Sequence, residues 1–94
     1  MDPKPLHSDV LAFVSSLQKL ENSLLRYGHG FWARKLSRIR QIAEKSDVYC
    51  IELFEGLFGG MGSFNDLILN APASANDEFA EERSRAYRLA QALK

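Results

Sequence analysis

Apolar residues between Asp9 and Tyr27 recur at steps of three and four positions, which is the spacing of one face of an α-helix. The positions are Val10, Phe13, Val14, Leu17, Leu20, Leu24 and Leu25. A stripe of about five helical turns must be covered by other elements, because apolar surface is driven out of water. Gly28 follows it, and glycine is favoured at the left-handed position that ends a helix. The pattern therefore predicts a helix over residues 9–27 and a fold built by packing other helices against it.

Two further segments carry a helical pattern before the glycine-rich part of the chain. Residues 31–45 predict a second helix, whose inner face is Trp32, Leu36, Ile39, Ile42 and Ala43. Residues 48–58 predict a third helix, which Ser46 or Asp47 can cap. Because this third segment is densely apolar, it should be the most buried element or expose an apolar patch.

The part of the chain after the glycines predicts two more elements. Residues 64–69 favour a short helix, with a brief strand as the alternative because Leu-Ile-Leu fits both. Ser74 or Asn76 can cap a last helix, whose apolar stripe is Phe79, the stem of Arg83, Ala86, Tyr87, Ala90 and Leu93. A chain of 94 residues has room for one core. We therefore expect a single domain over 1–94, an all-α bundle of four main helices with a glycine-rich corner and one short extra helix.

The glycine-rich corner is the stretch GLFGGMGSFND at residues 56–66, which holds four of the six glycines. A phosphate-binding loop requires a lysine after its last glycine, and here Ser63 stands there. A dinucleotide fingerprint requires a third glycine where Asn65 stands. A nucleophilic serine requires flanking glycines two positions away on both sides, where Met61 and Asn65 lie. Each catalytic template is therefore missing an essential residue.

A structural interpretation of the corner remains. Glycines allow positive φ and close approach to a neighbouring helix, while short polar side chains bond turn amides. The residues predicted to act in this way are Gly59, Gly60, Gly62, Ser63, Asn65 and Asp66. Ser63 and Asp66 have the spacing of a capping box, and Met61 and Phe64 are predicted to fold inward as plugs.

Charge is segregated along a chain whose net charge is zero. Residues 26–45 carry a net charge of +5, residues 46–82 carry −8, and residues 83–94 carry +4. This pattern either steers association with a charged partner or lets neighbouring helices complement one another. The basic segment lacks a helix-turn-helix signal, so nucleic-acid binding is not favoured. The acids lack an accompanying Glu-x-x-His motif, so no metal or other cofactor is expected.

The cellular compartment is predicted from three features that the sequence lacks: a pair of cysteines, a long N-terminal apolar run and a membrane-spanning segment. Cys50 is the single cysteine, so an internal disulfide is excluded, and a buried core position is expected for it. The N-terminal residues contain no long apolar run, and no segment approaches the roughly 18 apolar residues of a membrane-spanning helix. We therefore expect a cytoplasmic protein without a membrane partner.

The core from Gly59 to Asp66, GGMGSFND, follows an aromatic-rich helix and precedes Leu-Ile-Leu. In these features the chain resembles a family of small uncharacterised bacterial helical proteins that carry a GGMGS-x-ND core. The resemblance implies a helical domain without a known catalytic set. Small helical proteins of this kind often serve as immunity proteins, which bind and neutralise a toxin; this is an analogy at the level of the class.

Three functions follow as hypotheses. The first is a non-enzymatic immunity-type protein whose acids occlude the basic active-site cleft of a cognate toxin. The acids assigned to that contact are Glu52, Glu55, Asp77, Glu78, Glu81 and Glu82. The second is a regulatory or scaffolding homodimer that hides the apolar face of the third helix. The third is a small ligand-binding domain or enzyme that uses Asn65 and Asp66.

Overall fold

Four α-helices and one 3₁₀ helix form the residues that the computed structural model describes, which are 8–59 and 63–94. In chain order they are α1 (Ser8–Arg26), α2 (Gly30–Glu44), α3 (Tyr49–Glu55), the 3₁₀ helix (Phe64–Asp66) and α4 (Ala73–Ala92). These two described ranges contain no strand. The predicted all-α class is confirmed.

Helix α1 is the central element, because it packs against both α2 and α4. Its predicted stripe supplies the buried side chains Phe13, Leu17, Leu20 and Leu24. Leu25 departs from the prediction and is exposed. It lies one residue, or about 100° of helix rotation, beyond Leu24 and so turns away from the packed face.

The end of α1 is built as its sequence predicts. Gly28 has a φ of +82°, the left-handed conformation that glycine adopts without steric cost. The N–H of His29 donates to the carbonyl of Leu24 at 2.7 Å, and that of Gly28 donates to Leu25 at 3.4 Å. This pair of bonds is the Schellman motif, and it turns the chain directly into α2.

Helix α3 is shorter than predicted, ending at Glu55 rather than at residue 58. The N–H groups of Leu57 and Phe58 donate to carbonyls three residues back, so the last turn tightens into 3₁₀ geometry. The helix has Val48 at its N-cap and no capping side chain there, whereas Asp47, one residue earlier, accepts the Tyr49 N–H at 3.0 Å. Phe54 is completely buried.

Residues 64–69 correct the prediction of a short helix, since only residues 64–66 are helical and Leu67 has an extended ψ of 125°. The competing partners come from α4. Arg83 Nη1 donates to the Leu67 carbonyl at 3.0 Å, and the Asn76 side chain bonds both the N–H and the carbonyl of Leu69. These bonds satisfy backbone groups that a continued helix would use.

The start of α4 also departs from its predicted caps. The helix begins at Ala73 after Pro72, and no side chain caps it. Ser74 and Asn76 therefore lie within the first turns rather than before them. The Asn76 side chain does not cap the helix and bonds backbone groups of the preceding loop instead.

An ion pair ties α1 to α2. Arg40 of α2 donates from Nε to Glu21 Oε2 at 2.5 Å and also bonds Glu44 one turn away. The hydrogen bond to Glu21, which is only 7% exposed, is the main cause that raises the pKa of Arg40. Such a pair fixes how two helices meet more than it adds net stability, because burying both charges costs desolvation.

Candidate functional site

Phe64, near the end of the glycine-rich corner, lies at the centre of a cluster of aromatic rings, here called the aromatic centre. This ring is fully buried. Its centroid lies 5.2 Å from Trp32, 5.7 Å from Phe58 and 5.8 Å from Phe79, so it joins α2, the α3 turn and α4. The predicted inward position of Phe64 is confirmed, whereas Gly60, Met61 and Gly62 lie outside the described residues.

Arg83 of α4 holds the chain that leaves the corner. Its Nη1 donates to the carbonyls of Phe64 at 2.9 Å and Leu67 at 3.0 Å. Its guanidinium lies 5.3 Å from the centroid of Phe79 and 5.8 Å from that of Phe64, within cation–π range. Burial lowers the pKa of Arg83, and the charge of Asp66 opposes that shift. The result is a half-buried cation held by carbonyls and ring faces.

The polar side chains of the corner do not form the predicted cap of the turn. No side chain caps the 3₁₀ helix, so the capping box of Ser63 and Asp66 is not formed. Instead the backbone carbonyl of Ser63 accepts the Asp66 N–H at 3.0 Å. The side chains of Asn65 and Asp66 are exposed, and Gly59 takes the positive φ predicted for it.

The six acids assigned to partner binding do not form one surface. Asp77, Glu78 and Glu81 are exposed on the first half of α4. Glu55 instead bonds Lys94 at 2.8 Å and Gln91 at 3.3 Å, at the opposite end of that helix. Ten residues of helix separate Glu81 from Gln91, which is about 15 Å along the axis.

Two of those acids are already engaged within the fold. Lys94 is the main cause that lowers the pKa of Glu55. Glu82 is half-buried, accepts a hydrogen bond of 2.5 Å from Ser16 Oγ of α1, and lies 3.9 Å from Lys19. Glu52 is exposed beside Glu55 on α3. The acids that remain exposed together are Asp77, Glu78 and Glu81, here called the acidic half of α4.

A second charged surface lies on the outer side of α2. Arg34, Lys35 and Arg38 are exposed there, and Lys35 Nζ lies 4.9 Å from the centroid of the exposed Phe31 ring. The basic segment of the sequence therefore forms an exposed surface of α2, whereas on α4 exposed acids and the exposed Arg85 and Arg88 line one hollow.

The described ranges contain neither a cluster of metal-ligand side chains nor a membrane-spanning helix. No three His, Cys, Asp or Glu side chains of residues 8–59 and 63–94 are grouped as metal ligands. In the same ranges, no helix has both the length and the apolar character needed to span a bilayer. Cys50 is buried as predicted, and burial raises the pKa of its thiol.

These features define the protein as a small all-α domain whose helices meet at an aromatic centre. The chain belongs to a family described as a domain of unknown function, DUF6966, whose model matches residues 25–77. No curated protein and no solved structure matches the chain. The resemblance to an uncharacterised family is thereby supported, and the matched range includes residues 59–66. The greater part of α4, after Asp77, lies beyond it.

Sequence reasoning did not foresee the roles of Arg83 and Asn76. One signal was present, since Arg83 occupies the α4 stripe with Phe79, Ala86 and Ala90. A charged residue on a buried face requires partners for its polar atoms. The spacing of apolar residues does not identify those partners. They are backbone carbonyls 16 and 19 residues earlier in the chain.

Proposed function

We propose that this protein is a non-enzymatic protein-binding domain that uses the acidic half of α4 to engage a basic partner. The observation that carries the proposal is that Asp77, Glu78 and Glu81 are exposed and form no ion pair with any described residue. Three such carboxylates within two turns of one helix attract a positively charged surface and steer its approach.

The partner that best fits this surface is a toxin with a basic active-site cleft. In this role the protein acts as an immunity-type protein in the bacterial cytoplasm, and the acidic half of α4 covers the cleft and excludes the toxin's substrate. Support comes from the charge of the surface and from the class analogy to small helical immunity proteins. Glu52 and Glu55 extend the contact only if the partner also reaches the other end of α4.

A charge-reversal variant tests the proposal. The triple variant Asp77→Lys, Glu78→Lys, Glu81→Lys should bind the product of an adjacent toxin-like gene at least about 100-fold more weakly, because juxtaposed like charges cost several kcal/mol. It should also fail to restore growth when that gene is expressed. Calorimetry gives the affinity, and plating gives the neutralisation.

The matched control reverses three charges on α2 instead, as Arg34→Glu, Lys35→Glu, Arg38→Glu. These residues are also exposed, so both variants should retain the circular dichroism spectrum of the wild type. Full binding and neutralisation by the α4 variant contradict the proposed surface. Equal losses in both variants also contradict it, since they indicate a dependence on overall charge pattern rather than on this face.

A homodimer is the second candidate, and the start of α3 favours it. Val48 is 71% exposed and Tyr49 is 51% exposed, beside a shallow apolar hollow of about 110 Å³ that includes Ile51 and Leu93. A second copy of the chain covers these side chains in the homodimer.

Light scattering should then show a mass that rises with concentration to twice that of the chain. Val48→Asp should abolish this rise and leave the monomer mass. A constant monomer mass up to millimolar concentration rules the homodimer out.

A further inference from the structure

We propose that a groove along the second half of α4 binds a small organic anion that carries a flat ring. The described residues that line it are Phe58, Asn65, Arg83, Ser84, Tyr87 and Arg88. Its volume is about 390 Å³. Pockets that hold small molecules generally measure about 300–1,000 Å³, so the groove accommodates one ring with a charged substituent.

Positive charge in the groove is not neutralised by the fold. Arg83 uses Nη1 for the two carbonyls, and neither Arg83 nor Arg88 forms an ion pair within the described residues. Asp66 acts on Arg83 only through its charge and does not line the groove. A partly desolvated guanidinium without a carboxylate gains more from an anion than an exposed one does, because the low local dielectric strengthens the attraction.

Geometry further favours an anion with two or more oxygens on one charged group. Guanidinium groups present paired N–H donors that match both oxygens of a carboxylate or phosphate. Because Arg83 is fixed by its hydrogen bonds and ring contacts, it loses little freedom on binding. The exposed Arg88 also lines the groove and can close over the anion.

Two aromatic side chains of the groove can pack against the ring of the ligand. Phe58 and Tyr87 meet edge to face, with centroids 5.1 Å apart, and Tyr87 remains 39% exposed. Aromatic rings pack favourably in such offset or perpendicular contacts. The exposed amide of Asn65 stands at the rim and can donate one hydrogen bond.

This site also changes the interpretation of the corner. In the sequence the corner lies in a segment of charge −8, which opposes an anion. In the fold, Arg83 and Arg88 of α4 stand beside Asn65 and Phe58, so the local charge there is positive. The acidic half of α4 does not line the groove, and the two proposals therefore stand or fall separately.

Titration of the full ¹⁵N-labelled chain with phenyl phosphate and benzoate tests the groove, with phenol as the neutral probe. We expect saturable amide shifts at the groove residues with a Kd in the millimolar range or tighter, and no such shifts with phenol. The tighter of the two anions identifies the charged group. Arg88→Gln should weaken binding at least tenfold, because it removes one of two guanidinium groups.

Arg85→Gln is the matched control, since Arg85 is exposed on the same helix but does not line the groove. Its affinity should stay within twofold of the wild type. Equal weakening in the two variants overturns the proposal, because it indicates attraction to the general charge of α4. Linear, non-saturating shifts with both anions, or saturable shifts confined to other surfaces, overturn it as well.

Discussion

Replacing Phe64 with alanine is expected to lower the free energy of unfolding by about 3–5 kcal/mol, the usual cost of removing a buried phenylalanine. The ring is fully buried and contacts Trp32, Phe58 and Phe79, which come from three separate parts of the fold. It also lies beneath the guanidinium of Arg83. A small domain has only about 5–15 kcal/mol of stability, so this one change should remove a large part of it.

Phe31→Ala is the matched control for Phe64→Ala. Phe31 is 59% exposed and meets Trp32 edge to face on the surface of α2. Its loss should cost less than about 1 kcal/mol, as is usual for surface positions. Urea unfolding followed by circular dichroism gives both values. A Phe64→Ala cost no larger than that of Phe31→Ala would show that the ring is not central to the core.

The parts of the fold that sequence could predict are those governed by local spacing. The α1 stripe and its end at Gly28 needed only helical periodicity and the conformational freedom of glycine. Both are fixed by residues within a few positions of one another. For the same reason, the fold class and the buried positions of Phe13, Leu17 and Leu24 follow from the pattern alone.

The parts that sequence could not predict depend on contacts between distant residues. Leu67 and Leu69 leave the helical conformation because side chains of α4 occupy their backbone groups. Local propensity favoured a helix, and tertiary hydrogen bonds outweighed it. The spacing of α4 marks Arg83 as a charged residue that needs partners, but no pattern of spacing identifies the backbone groups that Arg83 and Asn76 bond.

The candidate site shows the same division between local and distant information. Charge counted along the chain groups Glu55 with Glu81, yet α3 packs so that Glu55 meets the far end of α4. The same count places the corner in an acidic environment, although Arg83 and Arg88 stand next to it. Sequence position therefore identifies which residues are charged, while the packing of helices decides which charges act together.

Asn76→Asp is expected to destabilise the protein by about 2–4 kcal/mol at neutral pH, because it replaces an N–H donor with a charged oxygen that faces partly buried carbonyl oxygens. Asn76 Oδ1 accepts the Leu69 N–H at 2.8 Å, and Nδ2 donates to the carbonyls of Leu69 at 3.0 Å and Ala71 at 3.2 Å. A carboxylate keeps the first bond but turns an oxygen toward two carbonyl oxygens. Its favourable interaction with the start of α4, at most about 1 kcal/mol, does not offset this.

Asn70→Asp supplies the matched control for Asn76→Asp, since Asn70 is exposed and its side chain has no hydrogen-bond partner in the described residues. It should change stability by less than about 0.5 kcal/mol.

The pH dependence of the destabilisation shows whether the charge of the carboxylate introduced by Asn76→Asp causes it. Facing two carbonyls, the new carboxyl prefers its protonated form, so its pKa in the folded state lies above the unfolded value of roughly 4. The destabilisation should therefore be full at neutral pH and shrink as the pH falls through that raised pKa toward 4. A difference between the two variants in urea unfolding that stays constant from pH 7 to pH 4 would contradict the bonding assigned to Asn76.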